Sequence, residues 1–143
     1  MRYALPDVLL QPLVQSALRE DLGRRGDITS EATIDSQQTT ELHIIAREAG
    51  IVCGVQLARL AFALMDPAIE FKAQLQDGDV LEKGSIIASI QGNAQAILSA
   101  ERTALNFLTH LSGIATTTHE LQSSISHTSA KITCTRKTIP GLR

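Results

Sequence analysis

Residues 130–135, reading AKITCT, alternate in polarity and run straight into Arg136-Lys137-Thr138, with Pro140-Gly141 close behind. The alternation predicts a strand with Ile132 and Cys134 on one face. Pro140-Gly141 would end it, because proline cannot donate to a ladder. Basic and hydroxyl side chains at the carboxyl end of a strand are what an α/β barrel places in its active-site mouth. One strand cannot close a barrel. The expectation is therefore an α+β chain that ends just inside a barrel, with the remaining strands and helices outside it.

Upstream of that strand the pattern changes several times. Pro6-Asp7 opens a first helix, with proline and an acid at its favoured positive end. Leu10, Leu13, Val14, Ala17 and Leu18 recur in it at helical spacing. Gly23 and Gly26 end it, and GRRGDITSEAT reads as a loop. Residues 42–46 and 51–53 are strand candidates on either side of a turn at Gly50. Gly54 opens an apolar helix over 55–65, closed by Asp66-Pro67. Ile69, Phe71, Ala73 and Leu75 alternate with polar residues, and the turn signals of 77–84 flank Val80-Leu81. Residues 85–90 read as another strand, Gly92-Asn93 as a hairpin turn, and 94–98 as the return strand.

Ser99 is the expected N-cap of a long helix from Ala100. At 100° per residue, Ala100, Ala104, Phe107, Leu111 and Ala115 share one side. Arg102, Asn106, Thr109 and Gly113 share the other, so Arg102 points away from the core. It is either a solvated surface arginine or one offered to a partner or ligand.

Composition narrows the function classes. Thirteen Lys and Arg against fifteen Asp and Glu give a net charge of -2, which argues against a general nucleic-acid binder. The charge is uneven: no acid follows Glu120, while Lys131, Arg136, Lys137 and Arg143 all do. That imbalance suits an anion site or a solvated tail. With Tyr3, Phe62, Phe71 and Phe107 the only aromatic residues, the core must be aliphatic. Cys53 and Cys134 match no metal spacing and are expected to be reduced. Neither a signal-peptide pattern nor an apolar run long enough for a membrane span is present, which points to the cytoplasm.

Four groups of residues carry a resemblance to a known family. They are Glu20-Asp21-Leu22-Gly23 with Gly26-Asp27-Ile28-Thr29, then Glu101-Arg102-Thr103-Ala104-Leu105-Asn106-Phe107-Leu108. Ser112-Gly113-Ile114-Ala115-Thr116 follows, and finally Thr135-Arg136-Lys137-Thr138-Ile139-Pro140-Gly141-Leu142-Arg143. Together, and in this order, they resemble quinolinate phosphoribosyltransferase, also called carboxylating nicotinate-nucleotide pyrophosphorylase.

The resemblance implies an amino-terminal domain over 1–114 with a small hammerhead-like antiparallel sheet. It implies a linker helix and first barrel strand over 115–143, with the rest of the barrel missing. It further implies a homodimer or higher homo-oligomer, arranged head to tail so that one subunit's amino-terminal domain closes its partner's barrel. The implied reaction, in NAD biosynthesis, joins quinolinate to phosphoribosyl pyrophosphate, with magnesium required and its ligands outside this chain. Arg102, Arg136 and Lys137 match the family's quinolinate-binding cations, and Thr138 adds a hydroxyl. Arg143 matches the motif's last arginine without an assigned role. Cys134 stands where many members carry aspartate. The segment alone is expected to be inactive and prone to associate, and neither nucleic acid nor membrane is an expected partner.

Three other readings compete. A paralogue associated with molybdate transport shares the architecture, but Arg102 with Arg136-Lys137 favours the quinolinate enzyme. Residues 77–84 resemble the turn of lipoyl and biotinyl carriers, yet the hairpin tip expected at Gly92-Asn93 holds no lysine. A purely structural dimerisation domain would differ observably, because it would not bind quinolinate.

Overall fold

A computed structural model of the chain describes residues 4–139. Helix α1, Asp7–Leu22, starts after Pro6 with Asp7 in its first turn and ends at Gly23. A short helix, α2, Ile28–Thr33, follows at once, so GRRGDITSEAT is not loop throughout. Asp27 is the reason: its carboxylate accepts the Ser30 N–H at 3.0 Å and caps the new helix.

Strand β1, Thr39–Ile45, and the two-residue strand β2, Gly50–Ile51, flank a bend at residues 47–48, so Gly50 lies in β2 rather than in the turn expected there. Helix α3, Val55–Met65, is the apolar helix read from the sequence. Then come β3, Glu70–Ala73, β4, Val80–Leu81, and β5, Ile86–Asn93. An antiparallel sheet forms in the order β1-β5-β3, while β2 and β4 make a separate antiparallel pair. The result is a mixed helical fold with small antiparallel sheets, as expected.

The hairpin expected at Gly92-Asn93 does not exist. Asn93 is the last residue of β5 and also the N-cap of α4, Ala94–Ser124, its side chain accepting the Ala96 N–H at 3.0 Å. Residues 94–98 alternate like a strand, but Ala94, Ile97, Ala100, Ala104 and Leu108 are buried at helical spacing, and the longer period wins. Ser99 consequently lies inside α4 rather than capping it, buried, with its hydroxyl bonded to the Gln95 carbonyl at 2.9 Å.

The strand expected over 130–135 is also absent among the described residues. A strand needs a neighbour to complete its ladder. Here the Ile132 N–H goes to the Gln122 side chain of α4 instead, at 2.9 Å. The expected stop at Pro140-Gly141, and Arg143 with it, lie outside the described residues.

The core is aliphatic around α3, whose Ala58, Ala61 and Phe62 are buried against α1 and α4. Phe62 and Phe71 meet at 5.9 Å between ring centres, tilted by 30°. Gly54 sets the entry of α3. It has φ 101°, a conformation natural to glycine, and an added Cβ would come within 3.1 Å of the Phe107 carbonyl oxygen. Only a glycine lets α3 begin this close to α4. The Asp77 carboxylate, from the loop before β4, accepts the Gly54 and Val55 N–H groups at 2.9 Å each.

Candidate functional site

Helix α4 is two-faced, as its wheel requires. Ala100 and Ala104 are fully buried, while Arg102, Asn106, Thr109 and Gly113 are exposed. Two stretches of the chain hold the helix in place: residues 21–27, within the first motif quoted above, and residues 50–54.

At the amino-terminal end of α4, Asp27 reaches across to Ser99, whose hydroxyl donates to it at 3.2 Å. The Ser30 hydroxyl and N–H donate to the same carboxylate. These bonds, led by the Ser30 hydroxyl, hold its carboxyl below the usual range. One helical turn further along, Asp21 pairs with Arg102 at 3.0 Å.

Toward the carboxyl-terminal end, Ser112 accepts the Cys53 N–H at 2.9 Å and donates to the Cys53 carbonyl at 3.2 Å. Thr116 accepts the Ile51 N–H at 2.9 Å. The Ser112–Thr116 motif thus docks the β2 edge on the helix. Gly50 permits that approach, since a Cβ there would stand 2.6 Å from the Thr116 hydroxyl oxygen. Burial, with the Asp77 charge adding to it, pushes the neighbouring Cys53 thiol up.

The exposed side opens onto a cavity of about 860 Å³ between α1 and α4, lined by Glu20, Asp21, Arg102, Asn106, His110 and Ile139 among others. Arg102 is 76 % exposed and Asp21 only 21 %. Arg102 is thus solvent-facing, as the sequence requires, but its guanidinium is anchored on one nitrogen by a carboxylate of its own chain. Arg102 lines the cavity, and a guanidinium is a fork suited to a planar carboxylate.

The carboxyl segment contributes Ile139 to this cavity. Arg136, Lys137 and Thr138 are not among its lining residues, and all three are exposed. Arg136 takes φ 60°, a left-handed conformation uncommon outside glycine, and its N–H donates to the Cys134 sulfur at 3.2 Å. The Lys137 ammonium donates to the Thr135 carbonyl at 3.2 Å. Within one chain, then, the structure brings the first two motifs together at Arg102 and leaves the Arg136-Lys137-Thr138 group outside that cavity. Both cysteines are free, Cys134 exposed and Cys53 half-buried. No helix among the described residues is long and apolar enough to cross a membrane.

Sequence reasoning missed the long-range contacts of Asp21, Asp27, Ser112 and Thr116. One signal was available. Glu20 and Asp21 sit in the last turn of α1, the negative end of the helix dipole, where a carboxylate is unfavourable unless a cation meets it.

Comparison with known proteins gives matches along nearly the whole chain. Residues 27–112 match the family model described as the quinolinate phosphoribosyl transferase N-terminal domain. Residues 114–143 match the C-terminal domain of the same family. A mitochondrial, decarboxylating quinolinate phosphoribosyltransferase 2 of Nicotiana glauca is 44% identical over 140 residues, 98% of this chain and 39% of its own length. Among solved structures, NadC from Streptococcus pyogenes aligns with a TM-score of 0.93 at 34% identity, covering 99% of this chain and 50% of that one. The nicotinate-nucleotide pyrophosphorylase from Francisella tularensis aligns with a TM-score of 0.89 at 36% identity, covering 96% and 48% respectively. The chain thus spans half or less of the length of these relatives. By the two matches that run along it, the chain belongs to the quinolinate phosphoribosyltransferase family.

Proposed function

We propose that this chain is the amino-terminal part of a cytoplasmic enzyme that joins quinolinate to phosphoribosyl pyrophosphate. The products are nicotinate mononucleotide, pyrophosphate and carbon dioxide, a step of NAD biosynthesis. The observation that carries the reading is the placement of Arg102. It stands on the core-averted face of α4, exposed, in a chain matched by both domains of one family.

In this reading residues 130–135 become the first strand of the barrel once neighbouring strands pair with them. Arg136, Lys137 and Thr138 then stand at that strand's carboxyl end, in the barrel mouth. Arg102 reaches the same mouth from a second copy, arranged head to tail. Quinolinate carries two carboxylates on a planar ring, so forked guanidinium groups and an ammonium grip it by charge-assisted bonds.

The bond from the ribose carbon to pyrophosphate breaks as the pyridine nitrogen attacks, and the reacting carbon passes through positive character. The bond to the 2-carboxyl group then breaks. Its electron pair stays on the ring carbon, which takes up a proton. Cations fixed near that carboxylate assist only as far as they stabilise the developing ring charge more than the bound substrate.

Magnesium is part of the family's chemistry, but no group of three or more His, Cys, Asp or Glu among the described residues could hold a metal ion. The residues of this segment act on the organic substrate. Replacing Arg136 by Ala in the full-length enzyme tests the reading. Calorimetry should show quinolinate binding weakened by at least about 2 kcal/mol, with phosphoribosyl pyrophosphate much less affected. Equal loss for both ligands would defeat the assignment.

A further inference from the structure

We propose that Asp21 is a positioning residue for Arg102, and that Asp21 with Asp27 forms a clasp fixing the substrate-facing end of α4. The inference rests on the reading that Arg102 grips a quinolinate carboxylate.

Three observations carry it. First, Asp21 is placed where it harms its own helix. It lies in the last turn of α1, whose dipole disfavours an acid, so helix stability does not account for it. Second, the pair is asymmetric. Asp21 is 21 % exposed and Arg102 76 %, so a held carboxylate grips one nitrogen of an arginine that otherwise stands in water. An ion pair this exposed adds little to folding. Its effect falls on where the guanidinium points.

Third, the grip is doubled. Asp27 bonds Ser99 at 3.2 Å, and Ser99 and Arg102 are neighbours three residues apart on the same helix. Asp27 is itself held by Ser30. The segment from Asp21 to Asp27 therefore clamps α4 at two successive points around the Arg102 turn. That gives the first sequence motif a physical role.

An arginine ordered before substrate arrives loses less rotamer freedom on binding. Simple electrostatics predicts the opposite effect of Asp21. A negative charge beside a dicarboxylate site repels the ligand, so deleting it should tighten binding. The two accounts differ in sign.

Steady-state kinetics of the full-length enzyme separates them, with quinolinate and phosphoribosyl pyrophosphate varied in turn. Asp21→Ala should raise KM for quinolinate about 3- to 10-fold, the cost of immobilising one long side chain. Its kcat, its KM for phosphoribosyl pyrophosphate and its melting temperature should stay close to wild type. Asp21→Asn keeps an acceptor oxygen and should recover most of the loss. Glu48→Ala removes an exposed acid that does not line this cavity and should not raise KM. Arg102→Ala should raise KM for quinolinate more than Asp21→Ala does, and adding Asp21→Ala to it should change nothing further.

An unchanged or lowered KM in Asp21→Ala, with Arg102→Ala impaired, would overturn the positioning role alone. An Arg102→Ala enzyme with normal quinolinate KM would overturn the reading beneath it. Equal loss for both substrates with a lowered melting temperature would show Asp21 to be a folding residue.

Discussion

Replacing Asp77 by Ala should remove the N-terminal cap of α3. Gly54 occupies the capping position and has no side chain to offer, so Asp77 supplies its carboxylate from another loop, accepting the Gly54 and Val55 N–H groups at 2.9 Å each. Losing a capping side chain costs about 0.5–2 kcal/mol, and losing a negative charge at a helix N-terminus about 0.3–1 kcal/mol more. Asp77 is exposed, so water takes over part of its role, and the expected loss is about 1–2 kcal/mol. Because α3 carries the buried Leu57, Ala58, Leu60, Ala61 and Phe62, the loss should appear as global destabilisation rather than local fraying.

Urea unfolding followed by far-ultraviolet circular dichroism suits a chain with no Trp and one Tyr. The Asp77→Ala midpoint should fall with the slope unchanged. Asp77→Asn, which keeps an acceptor and loses the charge, should fall between it and wild type. An Asp77→Ala chain within about 0.3 kcal/mol of wild type would refute the reasoning, because a real cap is worth more than that.

Asp27, held ionised by the Ser30 and Ser99 bonds, has a folded pKa below its unfolded one. Its contribution is therefore present above the unfolded value and lost as pH falls through the folded one. The melting-temperature gap between wild type and Asp27→Asn should shrink on acidification, and a gap constant with pH would contradict this. Gly50→Ala should cost about 1–3 kcal/mol by overpacking against Thr116 and speed hydrogen exchange at the Ile51 N–H; normal exchange would exclude the close approach. Iodoacetamide followed by mass spectrometry should label exposed Cys134 before Cys53, whose thiol burial pushes up. Equal rates would argue against the burial.

Where period and terminus signals agreed, the chain was legible. Pro6-Asp7 and Gly23 bound α1, and Gly54 and Asp66 bound α3, as their capping chemistry dictates. Errors arose where two periods fit the same letters. Residues 94–98 alternate and also carry Ala94 and Ile97 at helical spacing, and the longer helical period that continues through Leu108, together with the Asn93 cap on the Ala96 N–H, decides between them. Residues 130–135 failed for another reason. Alternation states which face a strand would bury, but the ladder depends on a neighbour that the letters of one segment do not supply. The site divided along the same line. The exposed face of α4 follows from spacing alone, and Arg102 lies on it as expected. Asp21 and Asp27 act over 81 and 72 positions of chain, and no local pattern announces such a pairing.

These long-range bonds also explain why the quoted motifs fall where they do. Asp21 and Asp27 grip α4 at Arg102 and Ser99. Phe107 and Leu111 receive the tight Gly54 turn, and Ser112 and Thr116 receive the backbone of Cys53 and Ile51. Each contact uses a small or short polar residue where a larger one would hold the elements apart. The helix is therefore fixed in rotation along most of its length, from both flanks. Rotation is what decides which residues face outward, because a turn of 100° moves each face on by one residue. A helix free to roll could hide Arg102 against α1. Held this way, it presents Arg102 and Asn106 to the cavity side and keeps Ala100, Ala104 and Leu108 in the core. The cost of loosening the grip should therefore fall on ligand orientation first and on folding second.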